Sequence, residues 1–293
     1  MYLKNLIKLI ITSIKGNFFW NYKLYLVNPS KHFQLSSHDS KDLVIMIQGP
    51  IMKSFTYETV RFYNTVFKDA IIILSTWKLE DNIKSSFKNL RLEIIENDYP
   101  SYKGYSNINY QIKSSSNGIK FAKKFNKRFI IKTRTDQRIT QPTSIKNLKN
   151  LFNLFNSKNS SRLIACSLDS ILSREFHLSD HFMFGELQTM ERYWSPGIDE
   201  RDLSNVEIND KNQHKHKIGG SYFFIQYMLK YLNRDLGSNY EQILSNHFII
   251  VNKNDLGLYW NKYNLKFDKY ISNYKVNEKD FSYWLNLYLK YNI

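Results

Sequence analysis

Four short apolar runs, each ending in polar or turn-forming residues, constrain the fold of this chain more than any other feature. The runs occupy residues 43–47, 70–74, 92–95 and the start of 129–139. Runs of this length that are rich in Val, Ile and Leu are typical of strands buried in a sheet. Helical patterns over residues 55–67 and 106–125 lie between them. This alternation predicts a mostly parallel sheet with right-handed crossover connections.

The second half of the chain is less regular. We predict a strand over residues 162–168, a polar loop over 195–218, and helices over 145–155, 186–194, 219–232 and 240–248. The fold class is therefore α/β, with a mostly parallel central sheet flanked by helices and a less regular helical C-terminal part. The predicted organisation is an N-terminal amphipathic helix and connector over 1–40, a main domain over 41–250 and a helical tail over 251–293.

The composition excludes a globally disordered chain and favours polyanionic partners. Of the 293 residues, 42% are hydrophobic and 16% aromatic, which is enough for a sizeable core. A net charge of +16 favours nucleic acid, an anionic membrane or a phosphorylated ligand. An AT-rich coding sequence, with its Lys, Asn, Ile, Tyr and Phe, also produces this excess. The single cysteine, Cys166, lies in an apolar run and predicts a buried thiol without an internal disulfide.

The N-terminal residues 1–14 have apolar positions interrupted by Lys4 and Lys8. A membrane-spanning helix needs about 20 apolar residues, so this run is too short and too broken to span. Two interpretations remain open. One is an amphipathic helix in peripheral contact with an anionic inner membrane, on its cytoplasmic face. The other is a helix that packs at the edge of the domain.

The most concentrated group of charges follows the fourth apolar run, at Lys132, Arg134, Asp136 and Arg138. A regular strand has a side-chain period of two, so it would place all four on one face. Ligands of open α/β sheets bind at the carboxyl ends of the strands. One carboxylate among three cations at such an end favours a metal-bound or phosphate-bearing ligand, and the alternative is a set of solvated surface charges.

Further candidate ligand contacts stand where the other predicted strands end and where the long helix begins. The strand-end candidates are Gln48, Gly49, Pro50, Thr76, Trp77 and Asn97. Asn107 and Gln111 lie near the start of the helix, where free backbone N–H groups favour an anion. The chain has no G-x-G-x-x-G fingerprint of dinucleotide binding, and the absence of a P-loop motif excludes a standard P-loop enzyme.

Several of these segments together resemble one known family. Residues 45–51, 58–63, 74–77 and 132–137 are similar to the WavE family of lipopolysaccharide-synthesis proteins, over roughly residues 43–250. The resemblance implies a GT-A-like glycosyltransferase whose nucleotide-sugar donor binds over the first half of the sheet. It also implies a surface-glycan acceptor (lipopolysaccharide, lipooligosaccharide or capsule), glycan or lipid-linked, and a cytoplasmic location. The chain departs from the usual Asp-x-Asp, because position 134 is Arg and only Asp136 is acidic.

Sugar transfer assigns roles to these residues. The leaving diphosphate must be neutralised by a divalent cation or by Arg and Lys. Asp136 is the candidate ligand for Mg²⁺ or Mn²⁺, and a salt bridge to Arg134 or Arg138 is its alternative role. Arg134, next to Lys132, is the alternative phosphate clamp.

The acceptor hydroxyl needs a base, and Asp180 is the candidate because it lies between apolar residues, which tend to raise the pKa of a carboxyl. The alternative role of Asp180 is to cap the helix that runs through Glu186. Glu186 itself and Glu241 are second choices for the base. His177 with His181, and His214 with His216, lack Cys or carboxylate partners at zinc spacing, so we expect no metal there.

Two other classes of function remain as alternatives. A nucleic-acid-binding protein would account for the charge, but the basic residues are spread along the chain without a recognised module, so nucleic acid is not an expected partner. A non-catalytic, membrane-associated scaffold of polysaccharide assembly would use the same surface without transferring a sugar.

Overall fold

A seven-stranded sheet dominates the computed structural model, which describes residues 40–156, 161–201, 219–261 and 277–293. Its strands are β1 (Leu43–Gln48), β2 (Ile71–Trp77), β3 (Glu93–Asn97), β4 (Phe129–Arg134), β6 (Leu163–Cys166), β7 (Met183–Glu186) and β8 (Phe248–Val251). A separate two-stranded sheet joins β5 (Gln137–Ile139) to β9 (Leu258–Trp260).

The strand order in the large sheet is β3-β2-β1-β4-β7-β6-β8. The pairs β1–β2, β1–β4, β2–β3 and β6–β8 are parallel, whereas β7 is antiparallel to both of its neighbours. The carboxyl ends of β1 to β4 therefore meet at one edge. The predicted α/β class with a mostly parallel central sheet is confirmed.

Helices cover the sheet, and six of the eight in the described residues lie close to predicted positions, whereas no bounds were predicted for the helices at Asp81–Ser86 and Phe281–Asn292. The helices are α1 (Lys53–Val66), α2 (Asp81–Ser86), α3 (Ile108–Ala122), α4 (Ser144–Phe155), α5 (Leu187–Trp194), α6 (Gly219–Tyr231), α7 (Tyr240–His247) and α8 (Phe281–Asn292). Short 3₁₀ turns precede and follow α3, at Tyr105–Asn107 and Lys123–Phe125. The helix α3 packs against β1, β2 and β3, so its first turn lies at the edge where these strands end.

The core follows from the apolar runs themselves. Every residue of β1 and of β8 is buried, as expected for strands covered on both faces. Cys166 is also fully buried, which confirms the expectation for the single thiol. Two predicted helices include a strand residue at one end, because Phe248 of 240–248 begins β8 and Glu186 of 186–194 ends β7.

One predicted strand is wrong at its end. The run 129–139 is not continuous, because β4 ends at Arg134 and a turn at Thr135 and Asp136 leads into β5 of the other sheet. The Thr135 N–H donates to the carbonyl oxygen of Gln48 at 3.1 Å, and Asn261 N–H donates to the Asp136 carbonyl at 2.8 Å. The four charged residues therefore do not share one strand face.

The segment predicted as a C-terminal tail packs against the main domain. Its β9 strand pairs with β5, and α8 packs against α7 with Trp284 fully buried. The predicted N-terminal helix, residues 202–218 of the polar loop, and the pair His214 and His216 lie outside the described residues. Among the residues that the structure describes, each helix is too short or too polar to traverse a bilayer.

Candidate active site

A cavity of about 450 Å³ opens where β1, β2 and β4 end. It brings together nine of the residues predicted from sequence: Gln48, Gly49, Pro50, Trp77, Asn107, Gln111, Arg134, Asp136 and Asp180. Sequence analysis missed five further lining residues, which are Met52, Tyr99, Ser106, Tyr110 and Thr135. The residues come from five separate parts of the chain, so the fold, and not sequence proximity, forms this cavity.

The floor of the cavity is the turn after β1. Gly49 has a φ of +123°, and its N–H donates to the Ser75 carbonyl at 3.1 Å. A Cβ at this position would lie 3.0 Å from Thr135 Oγ1, so only glycine permits this turn to lie against the end of β4. Gln48 Nε2 donates to Ser114 Oγ of α3 at 2.9 Å, which ties the strand end to the helix.

The first turn of α3 forms one wall. Ser106 and Asn107 have positive φ angles of 51° and 62°, and both line the cavity. The side chain of Asn107 does not cap the helix. A helix N-terminus carries partial positive charge, which favours the binding of an anion here.

The β2–β3 end of the cavity is aromatic. Trp77 and Tyr99 stack with ring centroids 4.6 Å apart, and Tyr110 meets Trp77 edge-on at 5.4 Å. Tyr99 is 62% exposed, whereas Trp77 is buried beneath it. Such an exposed ring supported by a second aromatic ring suits a planar ligand.

The β4 end of the cavity is charged. Arg134 Nε and Nη2 donate to the two carboxylate oxygens of Asp136, at 3.0 and 3.2 Å. Trp260 Nε1 donates to Asp136 Oδ2 at 3.0 Å. The Asp136 residue is 3% exposed, while the Arg134 side chain is 25% exposed. The salt bridge that sequence analysis held as the alternative role of Asp136 is therefore present.

Asp180 faces the same cavity from the segment before β7. Lys132 Nζ and Gln111 Nε2 both donate to its backbone carbonyl, the latter at 3.3 Å. Burial by itself raises the pKa of the Asp180 carboxyl, but His181, Lys132 and Arg134 outweigh it and lower that pKa below its usual value. The expected raised pKa is wrong, because cations rather than apolar groups surround the carboxylate. The capping role is wrong too, because Glu186 precedes α5.

Three predicted ligand contacts lie behind the cavity wall. Lys132 is fully buried, with Nζ 4.1 Å from the centre of the Trp194 ring. Asn97 is 2% exposed and donates to Ser75 Oγ and to the Thr76 carbonyl, at 3.0 and 2.7 Å. Thr76 itself is 1% exposed. All three support strand ends and do not line the cavity.

The residues at this edge do not fit the predicted divalent metal. Both oxygens of Asp136 already accept hydrogen bonds, and the adjacent Arg134 cation opposes a further positive charge. Within the described ranges, no group of three or more His, Cys, Asp or Glu side chains is placed to hold a metal ion. Mg²⁺ and Mn²⁺ bind oxygen donors, and in this arrangement the Asp136 oxygens are directed to Arg134 and Trp260.

The second-choice bases lie elsewhere. Glu186 forms an ion pair with Arg128 at 2.8 Å, and Glu241 pairs with Lys290 at 2.9 Å. His181 lies by the cavity wall, where burial lowers its pKa to about 3 and keeps it neutral, with Nδ1 2.6 Å from Gln137 Nε2. His181 therefore carries no charge at neutral pH.

Trp260 is a further residue that contacts Asp136 and that no sequence pattern indicated. It lies 124 positions after Asp136, in a short strand with half-buried residues, and it reaches the site only through the β5–β9 pairing. The sequence indicated Tyr99 and Tyr110 only weakly. Tyr99 follows the third predicted strand, and Tyr110 lies near the start of the predicted long helix.

Comparison with protein families assigns the chain. The family profile described as WavE lipopolysaccharide synthesis matches residues 43–293, which is most of the sequence. This chain belongs to the WavE lipopolysaccharide synthesis family. The match includes the whole cavity and extends beyond residue 250 through β9 and α8. No curated protein sequence matches the chain.

The solved structures that match this chain have low sequence identity and low TM-scores. A cytidylyltransferase from Leptospira borgpetersenii serovar Hardjo-bovis is 12% identical with a TM-score of 0.40, over 86% of this chain and 94% of that one. A mannosyltransferase from Pyrobaculum calidifontis in complex with GDP-Man and Mn²⁺ is 9% identical with a TM-score of 0.35, over 60% and 52%. A glycosyltransferase involved in glycosylation of the major capsid of PBCV-1 is 10% identical with a TM-score of 0.36, over 72% and 82%. Scores this low carry no argument about function.

Proposed function

We propose that this member of the WavE family is a glycosyltransferase that moves a sugar from a nucleotide-sugar donor to a growing surface glycan. The observation that best supports the proposal is that the cavity has an aromatic end at β2 and a charged end at β4. Membership in a lipopolysaccharide synthesis family supports it, because such glycans are built by successive sugar transfers.

The donor would lie across the strand ends. Neighbouring strands are about 4.8 Å apart, so β2 and β4, with β1 between them, are roughly 10 Å apart. That span is comparable to the reach from a nucleobase to its second phosphate. The base would contact Tyr99 and Tyr110, and the diphosphate would lie between Arg134 and the first turn of α3.

Arg134 and α3 would stabilise the leaving group. Charge develops on the diphosphate as its bond to the sugar breaks, and fixed N–H donors stabilise such charge with little reorganisation. The backbone at Gly49 allows the ligand to come close to the sheet edge, because glycine adds no side chain there.

Asp180 is the group proposed to receive the proton of the acceptor. The acceptor oxygen bonds to the anomeric carbon, the bond from that carbon to the diphosphate oxygen breaks, and the nucleoside diphosphate leaves with the electron pair. The hydroxyl proton passes to the Asp180 carboxylate, which is ionised at neutral pH. A bound diphosphate would offset the positive charge of Arg134 and so raise the pKa of Asp180 towards a value that suits a base.

The proposed partners are a nucleotide sugar and a glycan or lipid-linked acceptor. Lipid-linked acceptors lie at a membrane surface, and the net charge of +16 would favour an anionic one. We do not propose nucleic acid as a partner. The aromatic rings at the cavity are proposed to contact the base of the donor.

A donor screen with an Asp180→Asn variant tests the proposal. UDP-, GDP-, CDP- and ADP-sugars are screened for a rise in melting temperature and for release of the nucleotide, since a bound donor stabilises the folded state. For the donor that binds, Asp180→Asn should lower kcat by about 100-fold or more and change the donor Kd by less than about threefold, because a general base acts on the acceptor.

Glu186→Gln is the matched control, since Glu186 is a carboxylate outside the cavity lining, and it should keep wild-type kcat. Stabilisation by no donor would contradict the proposal and favour the scaffold interpretation. Equal kcat values for Asp180→Asn and the wild type would remove Asp180 from the mechanism.

A further inference from the structure

The Arg134–Asp136 pair is fixed by a distant part of the chain. Asp136 accepts two hydrogen bonds from one guanidinium and a third from the Trp260 indole, all within 3.2 Å. The Asp136 residue is 3% exposed and the Arg134 side chain 25% exposed. The arginine is therefore the member of the pair that offers surface to a ligand.

Backbone pairing holds Trp260 in place. In the small sheet, Gln137 pairs with Trp260 and Arg138 pairs with Tyr259. Asn261 N–H donates to the carbonyl oxygen of Asp136 at 2.8 Å, directly beside the indole contact. Trp260 also meets the His181 ring edge-on at 4.5 Å. The backbone of β9 therefore fixes the position of Trp260, whose indole N–H donates to Asp136.

The surroundings of the Asp136 carboxylate differ from those of a metal ligand. A divalent cation needs carboxylate oxygens that are not already neutralised. The Asp136 carboxylate is paired bidentately with Arg134 and also accepts from the Trp260 indole, so both of its oxygens are already engaged. Two of the guanidinium N–H groups face Asp136, and others remain to contact phosphate oxygens.

We propose that Asp136 is a positioning residue for Arg134, that Trp260 fixes this pair, and that Arg134 supplies the positive charge which a divalent cation would otherwise bring to the diphosphate. This inference rests on the proposed function and states how its donor site handles charge. It makes tight donor binding independent of Mg²⁺ and Mn²⁺.

The test compares nucleoside and nucleoside diphosphate binding by isothermal titration in EDTA and in Mn²⁺. UDP, GDP, CDP and ADP are tried in turn, each with its nucleoside. For the wild type, Mn²⁺ should change the Kd of the diphosphate by less than about threefold. Asp136→Asn should raise that Kd about tenfold or more in both conditions, because a charge-assisted pair no longer orients Arg134. Trp260→Phe should also raise the Kd of the diphosphate, by a smaller factor.

Two controls separate positioning from loss of fold. The nucleoside Kd should be unchanged in both variants, since the aromatic end of the cavity is intact. Asp199→Asn breaks a matched pair, because Asp199 and Arg201 have the same spacing and bond at 2.7 and 2.9 Å outside the cavity lining. It should leave every Kd at the wild-type value. Should Asp136→Asn fail to fold, Trp260→Phe carries the same comparison.

A wild-type protein that requires Mn²⁺ for tight binding, with Asp136→Asn removing only that gain, would overturn the inference and make Asp136 a metal ligand. The proposed function would survive that result. Absence of binding by all four diphosphates in either condition would contradict the proposed function and the inference together.

Discussion

At the scale of single residues, the surroundings of a charge decide its role more than its identity does. The structure places Asp180 at the cavity and Lys132 behind its wall, and the sequence could not supply the neighbours of either residue. Lys132 contacts Trp194 and the Asp180 carbonyl instead of a ligand. Asp180 has a lowered pKa because cations from β4 approach it. These contacts cross between segments about 50 residues apart, which a local pattern does not encode.

Two buried lysines should make stability depend on pH. Burial lowers the pKa of Lys132 and of Lys279 from 10.5 to about 7. Between about pH 7 and 10.5 the unfolded lysine keeps a proton that the folded one has lost. The free energy of unfolding therefore rises with pH in this window, and this contribution is lost as pH falls towards 7. We expect a rise of about 1–2 kcal/mol per lysine from pH 7 to 8.5.

Lys279→Met isolates one of the two lysines. Lys279 Nζ donates to the carbonyls of Arg174 and His177, and its side chain does not line the cavity. Urea unfolding at pH 7 and 8.5 should show about half the wild-type pH effect. The same pH effect in the variant as in the wild type would mean that Lys279 does not titrate in this range.

At the scale of elements, the sequence predicted those with a strong local pattern and missed those defined by pairing. The apolar runs of β1 and β2 were found within a few residues. The turn at Thr135 and Asp136 was missed because residues 129–139 alternate as a single strand would. It forms since Thr135 bonds to the end of β1 and β5 pairs with β9, which lies about 120 residues later.

The loop that carries Asp180 should depend on a glycine in α6. A Cβ at Gly220 would lie 2.1 Å from the Leu178 carbonyl oxygen, two residues before Asp180. Gly220→Ala must therefore displace this backbone. We expect the free energy of unfolding to fall by about 1–3 kcal/mol and kcat to fall about tenfold or more. Gly237→Ala, at an exposed turn, should change stability by less than about 0.5 kcal/mol. Wild-type kcat in Gly220→Ala would show that the loop tolerates the shift.

At the scale of the whole molecule, the position of the cavity and of its aromatic and charged ends follows from the sheet topology. Alternating strands and helices were enough to predict that β1 to β4 would end together, and so most residues of the cavity. The order across the sheet, β3-β2-β1-β4, then sets the aromatic and charged ends apart. The alternation alone does not specify that order, and Trp260 joins the site only because the C-terminal part folds back onto it.

The central claim is that one ligand spans both ends of the cavity, and paired affinities measure it most directly. Isothermal titration gives the Kd of a nucleoside and of its diphosphate for the wild type, Tyr99→Leu, Arg134→Met and the control Tyr102→Leu, whose exposed ring lies outside the cavity lining. We expect Tyr99→Leu to weaken both ligands about tenfold, since an aromatic–base stack contributes about 1–3 kcal/mol. Arg134→Met should weaken only the diphosphate, and Tyr102→Leu neither. Wild-type affinities in Tyr99→Leu and Arg134→Met for both ligands would contradict the account.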